Sequence, residues 1–470
     1  MLQRGRGKGY LAALEAAPET VWPLLFECLT HDPRLDRQCE AREEYYASLI
    51  VATGMDLEPL RFHLVQNDAA DDDDWSVGLL LSTLNCLAEK KRSSGALQIL
   101  REYISYGLDW HNVLYDLIDA DTFTGLELSV AVLCRRIARD PDVRADFEDT
   151  VREDWESYCR CDKELRTRVR HLLPVCEPWK TICSHNEEFA ALFRDVGIAY
   201  DQPPPPREGP SREYLAGLSL ADLFAQVDRS NYMGFLRVLP EKVSPRVEDY
   251  LLQQLATGDR YCMILAFRGL GVLGTPRAFD VVKSYIEASE NADSIVRRRA
   301  YEALEEMPAS LTLDLARYWF RQEEWHLHFP AGGVLKRHAT LEDVPLLIEA
   351  LRTPETIQCE DWRLSRALDA LAGFEALGWI PEIEQVFCAV QDCFRRYDAA
   401  NAMHITAPAE FASKYAFECL WDCHWQTREL GCKVANLSAP GVVERLRELA
   451  ADEKEPDGTR QTARERLEGL

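Results

Sequence analysis

Long apolar runs, alternating β-branched stretches and phosphate-cradling glycine motifs are all missing from this 470-residue chain. No segment approaches ~18 uninterrupted apolar residues, which argues against a membrane-spanning helix. Met1 to Tyr10 carries Arg4, Arg6 and Lys8, yet no apolar run long enough for a signal peptide follows. The expected location is therefore cytoplasmic, with no membrane partner. Sustained alternation of β-branched and polar residues is nearly absent, so a sheet is not expected. No Walker motif or dinucleotide fingerprint stands in strand–turn–helix context; the Gly269, Gly271, Gly274 stretch reads as a turn between two helices. No cofactor is expected.

Basic charge is also scarce. The net charge is −25, and residues 1–202 alone carry 23 basic against 37 acidic side chains. Nucleic acids and anionic membranes draw affinity from clustered Lys and Arg, so this balance argues against both and favours a basic protein partner. The 15 cysteines follow no frame, and an odd count in so large a protein reads as reduced thiols.

What is present is a recurring frame: an acidic residue, an alanine seven positions on and a leucine four beyond that. It reads Asp259, Ala266, Leu270; Asp293, Ala300, Leu304; Glu324, Ala331, Leu335; and Glu360, Ala367, Leu371. Glu410, Ala416, Leu420 and Asp457, Ala463, Leu467 repeat it with the acid one place closer. The alanines stand 34, 31, 36, 49 and 47 residues apart, a period typical of stacked helix pairs. Alanine and leucine four apart share a helix face, and the position between them is mostly small, so neighbours can approach closely. The acid falls where each helix should start, suited to capping free N–H groups. Such a helix cannot bury its stripe alone; each buried leucine contributes about 1.5–3 kcal/mol only when the next pair covers it.

The copy Asp293 to Leu304 resembles the second helix of HEAT-type repeats, especially the short class named after phycobiliprotein lyases. Leu270 to Ile286, with its Gly274–Ala278 turn and its stripe of Val281, Val282, Tyr285 and Ile286, looks like a preceding first helix, as does Leu341 to Leu351. The resemblance covers roughly residues 250–470. It implies an all-α fold, a curved α-solenoid of stacked HEAT-like helix pairs. It also implies an acid–arginine ladder through Arg299 and Arg366, six after Asp293 and Glu360. No catalytic residue carries over, because the repeat consensus encodes packing.

Helical periods continue upstream at Val21–Thr30, Tyr45–Thr53, Val77–Ala88, Ala96–Leu108, Val113–Ala120 and Leu126–Ala138. Two echo the frame: Glu40, Ala47, Val51 and Glu89, Ala96, Leu100. The expected organisation is irregular helical repeats over 1–202, a Pro-rich hinge or loop over 203–211, and a HEAT-like array over 212–470.

Chemistry is thinly supported. Cys419, Cys423, His424 and Cys432 have partial zinc-site spacing, but Cys419 occupies a small core position of the frame; no metal is expected. Cys159 with Cys161 and Cys183 with His185 lack a completing pair, and the Asp71–Asp74 run reads as helix-start charge. Basic clusters at 135–139, 160–170 and 297–299 keep an alkylpurine DNA glycosylase open as an alternative on a HEAT-like fold, and a chromophore lyase is another. Aromatic density singles out Trp319, Trp325, His326 and His328, then Trp421 and Trp425, as partner-binding candidates, with helix-pair core as the competing reading. The function expected is a non-catalytic scaffold or adaptor holding another protein on a concave face, with a basic client such as a nuclease or other toxin favoured by the charge.

Overall fold

The computed structural model describes residues 1–34, 37, 40–67, 76–89, 93–121, 123–140, 142–144, 147, 191, 211–229, 231–288, 293–352, 362–375, 377–453 and 455–470. Every regular element among them is helical. No described helix is long and apolar enough to cross a membrane. The Pro-rich segment (bar Ser211), the Asp71–Asp74 run, Glu360, the 160–170 basic cluster and the Cys159, Cys161, Cys183 and His185 group lie outside the described residues. Contacts divide the chain into two compact units, Met1–Glu208 with Ala416–Leu470, and Gly209–Tyr415.

The first unit begins with α1 (Gly7–Glu15), α2 (Pro18–Thr30), α3 (Glu43–Thr53), α4 (Glu58–Asn67), α5 (Ser76–Glu89), α6 (Ser94–Tyr103), α7 (Trp110–Ala120) and α8 (Phe123–Arg139). These match the periods read from sequence, with one shortening: α6 stops at Tyr103, whose hydroxyl accepts the Asp109 N–H. Gly107 lies against that tyrosine ring, and Leu108 is exposed. Ala96 and Leu100 of the second echo are fully buried, whereas Val51 is 52% exposed. In α3 the buried stripe runs through Tyr46, Leu49 and Ile50, so Ala47 sits at its edge and Val51, four further on, leaves it.

The second unit runs through α9 (Arg212–Gly217), α10 (Leu220–Gln226), α11 (Tyr232–Val238), α12 (Glu248–Ala256), α13 (Arg260–Leu273), α14 (Pro276–Ala288), α15 (Ser294–Glu306), α16 (Ala309–Trp319), α17 (Trp325–His338), α18 (Val344–Leu351), α19 (Trp362–Leu371), α20 (Pro381–Ala389), α21 (Cys393–Thr406) and α22 (Pro408–Lys414). Helix pairs α12–α13, α14–α15, α16–α17, α18–α19 and α20–α21 pack internally. The second helices also pack in succession, α13 on α15, α15 on α17, α17 on α19 and α19 on α21. Along that row Ala266, Leu270, Ala300, Leu304, Ala331, Leu335, Ala367 and Leu371 are all at 0% exposure, so the frame's apolar pair is the repeat contact itself.

Its acids behave less uniformly. Asp259 and Asp293 cap α13 and α15 by accepting two backbone N–H bonds each, but Glu324 precedes α17 without a side-chain cap bond. Glutamate's extra methylene explains this, since capping favours the short carboxylate. The expected ladder takes different rungs: Arg299 pairs with Glu302 one turn along its own helix, too far round to reach the Asp293 cap. Links between successive second helices include Arg268–Glu306, Arg260–Asp293 at 3.1 Å and Lys336–Asp369 at 3.3 Å, while Arg366 lies 3.9 Å over the Phe329 ring.

The glycine stretch is not one turn. Gly274 alone ends α13 in the left-handed region at φ 56°, before Pro276 opens α14. Gly269 and Gly271 lie inside α13, and a Cβ at Gly271 would stand 2.7 Å from Ala303 Cα in α15. A glycine is required there by the closeness of two backbones. At Gly269 the nearest atom is a Leu251 methyl at 2.8 Å, on a side chain able to move.

Ionisable groups also enter the row. Asp398 in α21 is pushed up to about 7 by burial, then by Asp369 and Asp392, with Ser365 and Lys336 pulling it down.

Gly271→Ala is expected to destabilise the protein by about 1–3 kcal/mol through overpacking, and Gly269→Ala to be near neutral because helix propensity offsets a yielding contact. Urea unfolding measures both; equal effects would refute the backbone-contact account. For Asp398 the folded-state value lies above the unfolded ~3.9, so its stabilising contribution is full below pH ~4 and lost as pH rises to about 7. Asp398→Asn should therefore gain relative stability across that window, reaching at most about 4 kcal/mol at pH 8. A variant-to-parent difference that stays flat from pH 4 to pH 8 in thermal melts would contradict it.

A carboxylate-lined cavity as candidate functional site

The first unit is completed by four helices from the far end of the sequence: α23 (Ala416–Cys419), α24 (Trp425–Val434), α25 (Val442–Ala451) and α26 (Asp457–Glu468). Helix α1 packs on α23 and on α3, and α24 and α25 both pack on α26. The join is made at very short range. Cys423 N–H donates to the Gly5 carbonyl at 2.9 Å, the Tyr45 hydroxyl donates to the Arg6 carbonyl at 2.9 Å, and Arg6 donates to Glu418 through Nε at 3.0 Å and Nη2 at 2.7 Å. At Gly7 a Cβ would fall 1.8 Å from the Glu418 carbonyl oxygen, so only glycine fits.

A cavity of about 600 Å³ opens within this unit. Tyr10 comes from α1, Glu44, Tyr45 and Ser48 from α3, Glu89 from the end of α5, and Trp421 and Asp422 from the turn after α23. Arg428 comes from α24, while Arg445, Glu448 and Leu449 lie on one face of α25 at helical spacing. Ala451, Asp452, Glu453 and Glu455 complete the wall. The described lining residues thus include seven carboxylates and two guanidinium groups.

Both guanidinium groups are engaged by the protein. Arg428, 6% exposed, donates to Glu455 through Nε at 2.8 Å and Nη2 at 2.9 Å, and through Nη1 to the carbonyls of Asp422 at 2.9 Å and Cys423 at 2.7 Å. Arg445 donates to the Leu420 carbonyl at 3.2 Å and to Glu448 at 3.0 Å, with its guanidinium carbon 5.6 Å from the Trp421 ring centroid. Burial pushes the Glu455 carboxyl up, and Arg428 opposes that shift. For Arg428 burial works against the charge, but Glu455 and then Glu44 hold its proton more tightly. The Tyr10 hydroxyl is likewise pushed up by burial, with Arg445 opposing and Glu448 adding. Tyr10 meets Tyr45 edge to face at 5.6 Å between centroids, giving the cavity an aromatic side.

The candidates read from sequence are distributed differently. Trp319 is 1% exposed in the core of its helix pair, and His328, 4% exposed, sets Nε2 at 2.9 Å from the Gln322 carbonyl. Both take the core alternative, since neither presents a surface to a partner. His326 is half-buried, and the side chain of Trp325 lies outside the described ones. In the first unit Trp421 lines the cavity and Trp425 is 39% exposed. Cys419, Cys423 and Cys432 are buried, and burial pushes the Cys432 thiol up to about 12, which disfavours the thiolate a metal needs. No group of three or more His, Cys, Asp or Glu placed to hold a metal occurs among the described residues.

Sequence reading missed Tyr10, Glu44, Arg428 and Glu448, because the cavity draws on two regions, residues 10–89 and 421–455, far apart in the sequence. One local signal exists: Arg445, Glu448, Leu449 and Asp452 recur at i, i+3, i+4 and i+7, a polar stripe interrupted by one leucine.

Among known families, a model described as the Vitellogenin TPR domain matches residues 208–311, all but the first of which belong to the second unit. The match is to a helical-repeat family and agrees with the helical elements among the described residues of that segment. No curated protein matches the chain.

Proposed function

We propose that this chain is a non-catalytic adaptor: a curved solenoid of HEAT-like helix pairs that holds a basic protein in the cytoplasm. The observation that carries the reading is the excess of carboxylates around a sizeable cavity in a chain of net charge −25. An acidic, water-accessible surface attracts cationic partners and speeds their encounter. The succession of second helices supports the repeat architecture, as does the match to a domain described as TPR, another array of helix–turn–helix units. Arrays of that kind present extended rows of side chains and are used to hold partners. HEAT-type geometry is our reading of the acid–alanine–leucine frame. The glycosylase and lyase alternatives gain no diagnostic residue, and in the described basic clusters Arg136 is bonded to the Ile104 and Gly107 carbonyls and Arg298 and Arg299 to Glu302.

Affinity purification of the tagged chain from its native host, followed by mass spectrometry, tests the proposal. A recurrent partner of high isoelectric point, released as salt is raised from 50 to 500 mM, is the expected result. Recovery of nucleic acid with no protein partner would contradict it.

A further inference from the structure

We propose that Met1–Glu15 is a releasable clasp on the first unit, whose departure opens the cavity between its α3 wall and the wall built from Trp421, Asp422, α24 and α25. The inference goes beyond the adaptor reading, since it concerns access to the cavity and holds whatever the cavity receives. The clasp consists of a 3₁₀ turn, Leu2–Arg4, followed by α1. It reaches both walls. On one side the Tyr45 hydroxyl donates to the Arg6 carbonyl at 2.9 Å, and Arg42 donates through Nη1 to the Gln3 carbonyl. On the other, Cys423 N–H donates to the Gly5 carbonyl at 2.9 Å and Arg6 Nη2 to Glu418 at 2.7 Å. A Cβ at Gly7 would also stand 3.3 Å from the Asp422 nitrogen. Tyr45, Trp421 and Asp422 line the cavity, and Tyr10 of the clasp supplies part of the wall itself. Departure of the clasp therefore withdraws one ring and frees both flanks.

The clasp spans both walls but buries little. Its buried positions are Gly5, Arg6, Gly7, Gly9 and Ala13, so Ala13 brings its one buried apolar side chain. By contrast α3 buries Tyr45, Tyr46, Ala47, Leu49 and Ile50. Elements with few buried apolar contacts open at lower free energy than the core around them. The helix adds little of its own: α1 has nine residues with Gly7 and Gly9 in its first turn, and so short a helix does not persist once detached. Arg6–Glu418 adds little net stability either, because both charges regain water when the cover lifts. Arg42 keeps Glu40 as a partner after release, and α24 and α25 keep α26 to pack on, so the walls stay built. Gly5 lies in the left-handed region at φ 65°, and a Cβ there would fall 2.4 Å from Cys423 Sγ. That thiol sits under the clasp and reports its release.

Alkylation of the full, reduced chain with iodoacetamide, read by peptide mass spectrometry, tests the clasp. Cys423 should be modified at least about tenfold faster than Cys432, which is 0% exposed in α24. Below the unfolding transition the Cys423 rate should not depend on urea, whereas that of Cys432 should climb with it, because only the second requires exposure of the core. Gly7→Ala, whose methyl group meets the Glu418 carbonyl, should speed modification of Cys423 at least about tenfold in a chain that still melts cooperatively. Glu15→Gln, on the exposed end of the clasp, should leave that rate unchanged. Modification of Cys423 and Cys432 at one rate with one urea dependence would mean that the clasp leaves only when the unit unfolds, and the proposal would fall. Fast modification of Cys423 that Gly7→Ala does not alter would overturn it as well, since the thiol would then be reached without moving the clasp. Should Gly7→Ala fail to fold, the comparison of the two thiols in the parent chain decides the matter.

Discussion

Two buried arginine–carboxylate pairs carry the first unit. Arg6 with Glu418 joins residues 412 positions apart, and Arg428 with Glu455 fixes the turn that leads into the last helix. Ion pairs of this kind add little net stability relative to well-packed apolar side chains, because desolvation consumes most of the attraction. Their value lies in what happens when they are misplaced: a lone charge in that interior costs about 3–5 kcal/mol. Of the two, Arg6–Glu418 is the pair made across the docking of Ala416–Leu470 onto the N-terminal helices, whereas Arg428 and Glu455 both lie within that segment. Gly7 permits the approach, and the hydrogen bonds from Cys423 N–H and the Tyr45 hydroxyl close it. The cavity is a consequence of that docking, since its walls come from both ends of the sequence.

The second unit relies on the opposite strategy. Its row of second helices is held by small residues and shared apolar stripes, with Gly271 against Ala303 marking the closest backbone contact. Charges sit at the margins, as Arg260–Asp293 and Lys336–Asp369 do, both well exposed on at least one side and therefore weakly stabilising. Asp398 is one exception, a carboxyl drawn among Asp369 and Asp392 where burial raises its pKa, and the buried Asp343, Arg395 and Arg396 are others. Local packing makes one unit; long-range charge pairing makes the other.

That difference explains what could be read in advance. The helices of both units follow from local periodicity, and the alanine–leucine positions from Ala266 to Leu371 identified the repeat contact because neighbouring pairs bury the same positions again and again. Caps were legible where aspartate stood at the helix start, as at Asp259 and Asp293, and not where glutamate did. The in-helix roles of Gly269 and Gly271 were hidden because a glycine's meaning depends on what lies opposite. Trp421 stood out as an aromatic, but its neighbours Tyr10, Glu44 and Arg428 did not, since no spacing rule connects residue 10 with residue 421. Trp319, selected by the same aromatic density, is core: composition finds rings but does not say which way they face.

The candidate site exists only where this docking brings its walls together, so the decisive measurement concerns the docking itself. Native-state hydrogen exchange of an Arg6→Gln variant compares amides in Glu43–Thr53 with those in Trp425–Val434. The account predicts that both helices lose protection together, by at least tenfold, because one buried pair holds both sides of the cavity. Loss confined to Gly7–Glu15, with Trp425–Val434 unchanged, would contradict it.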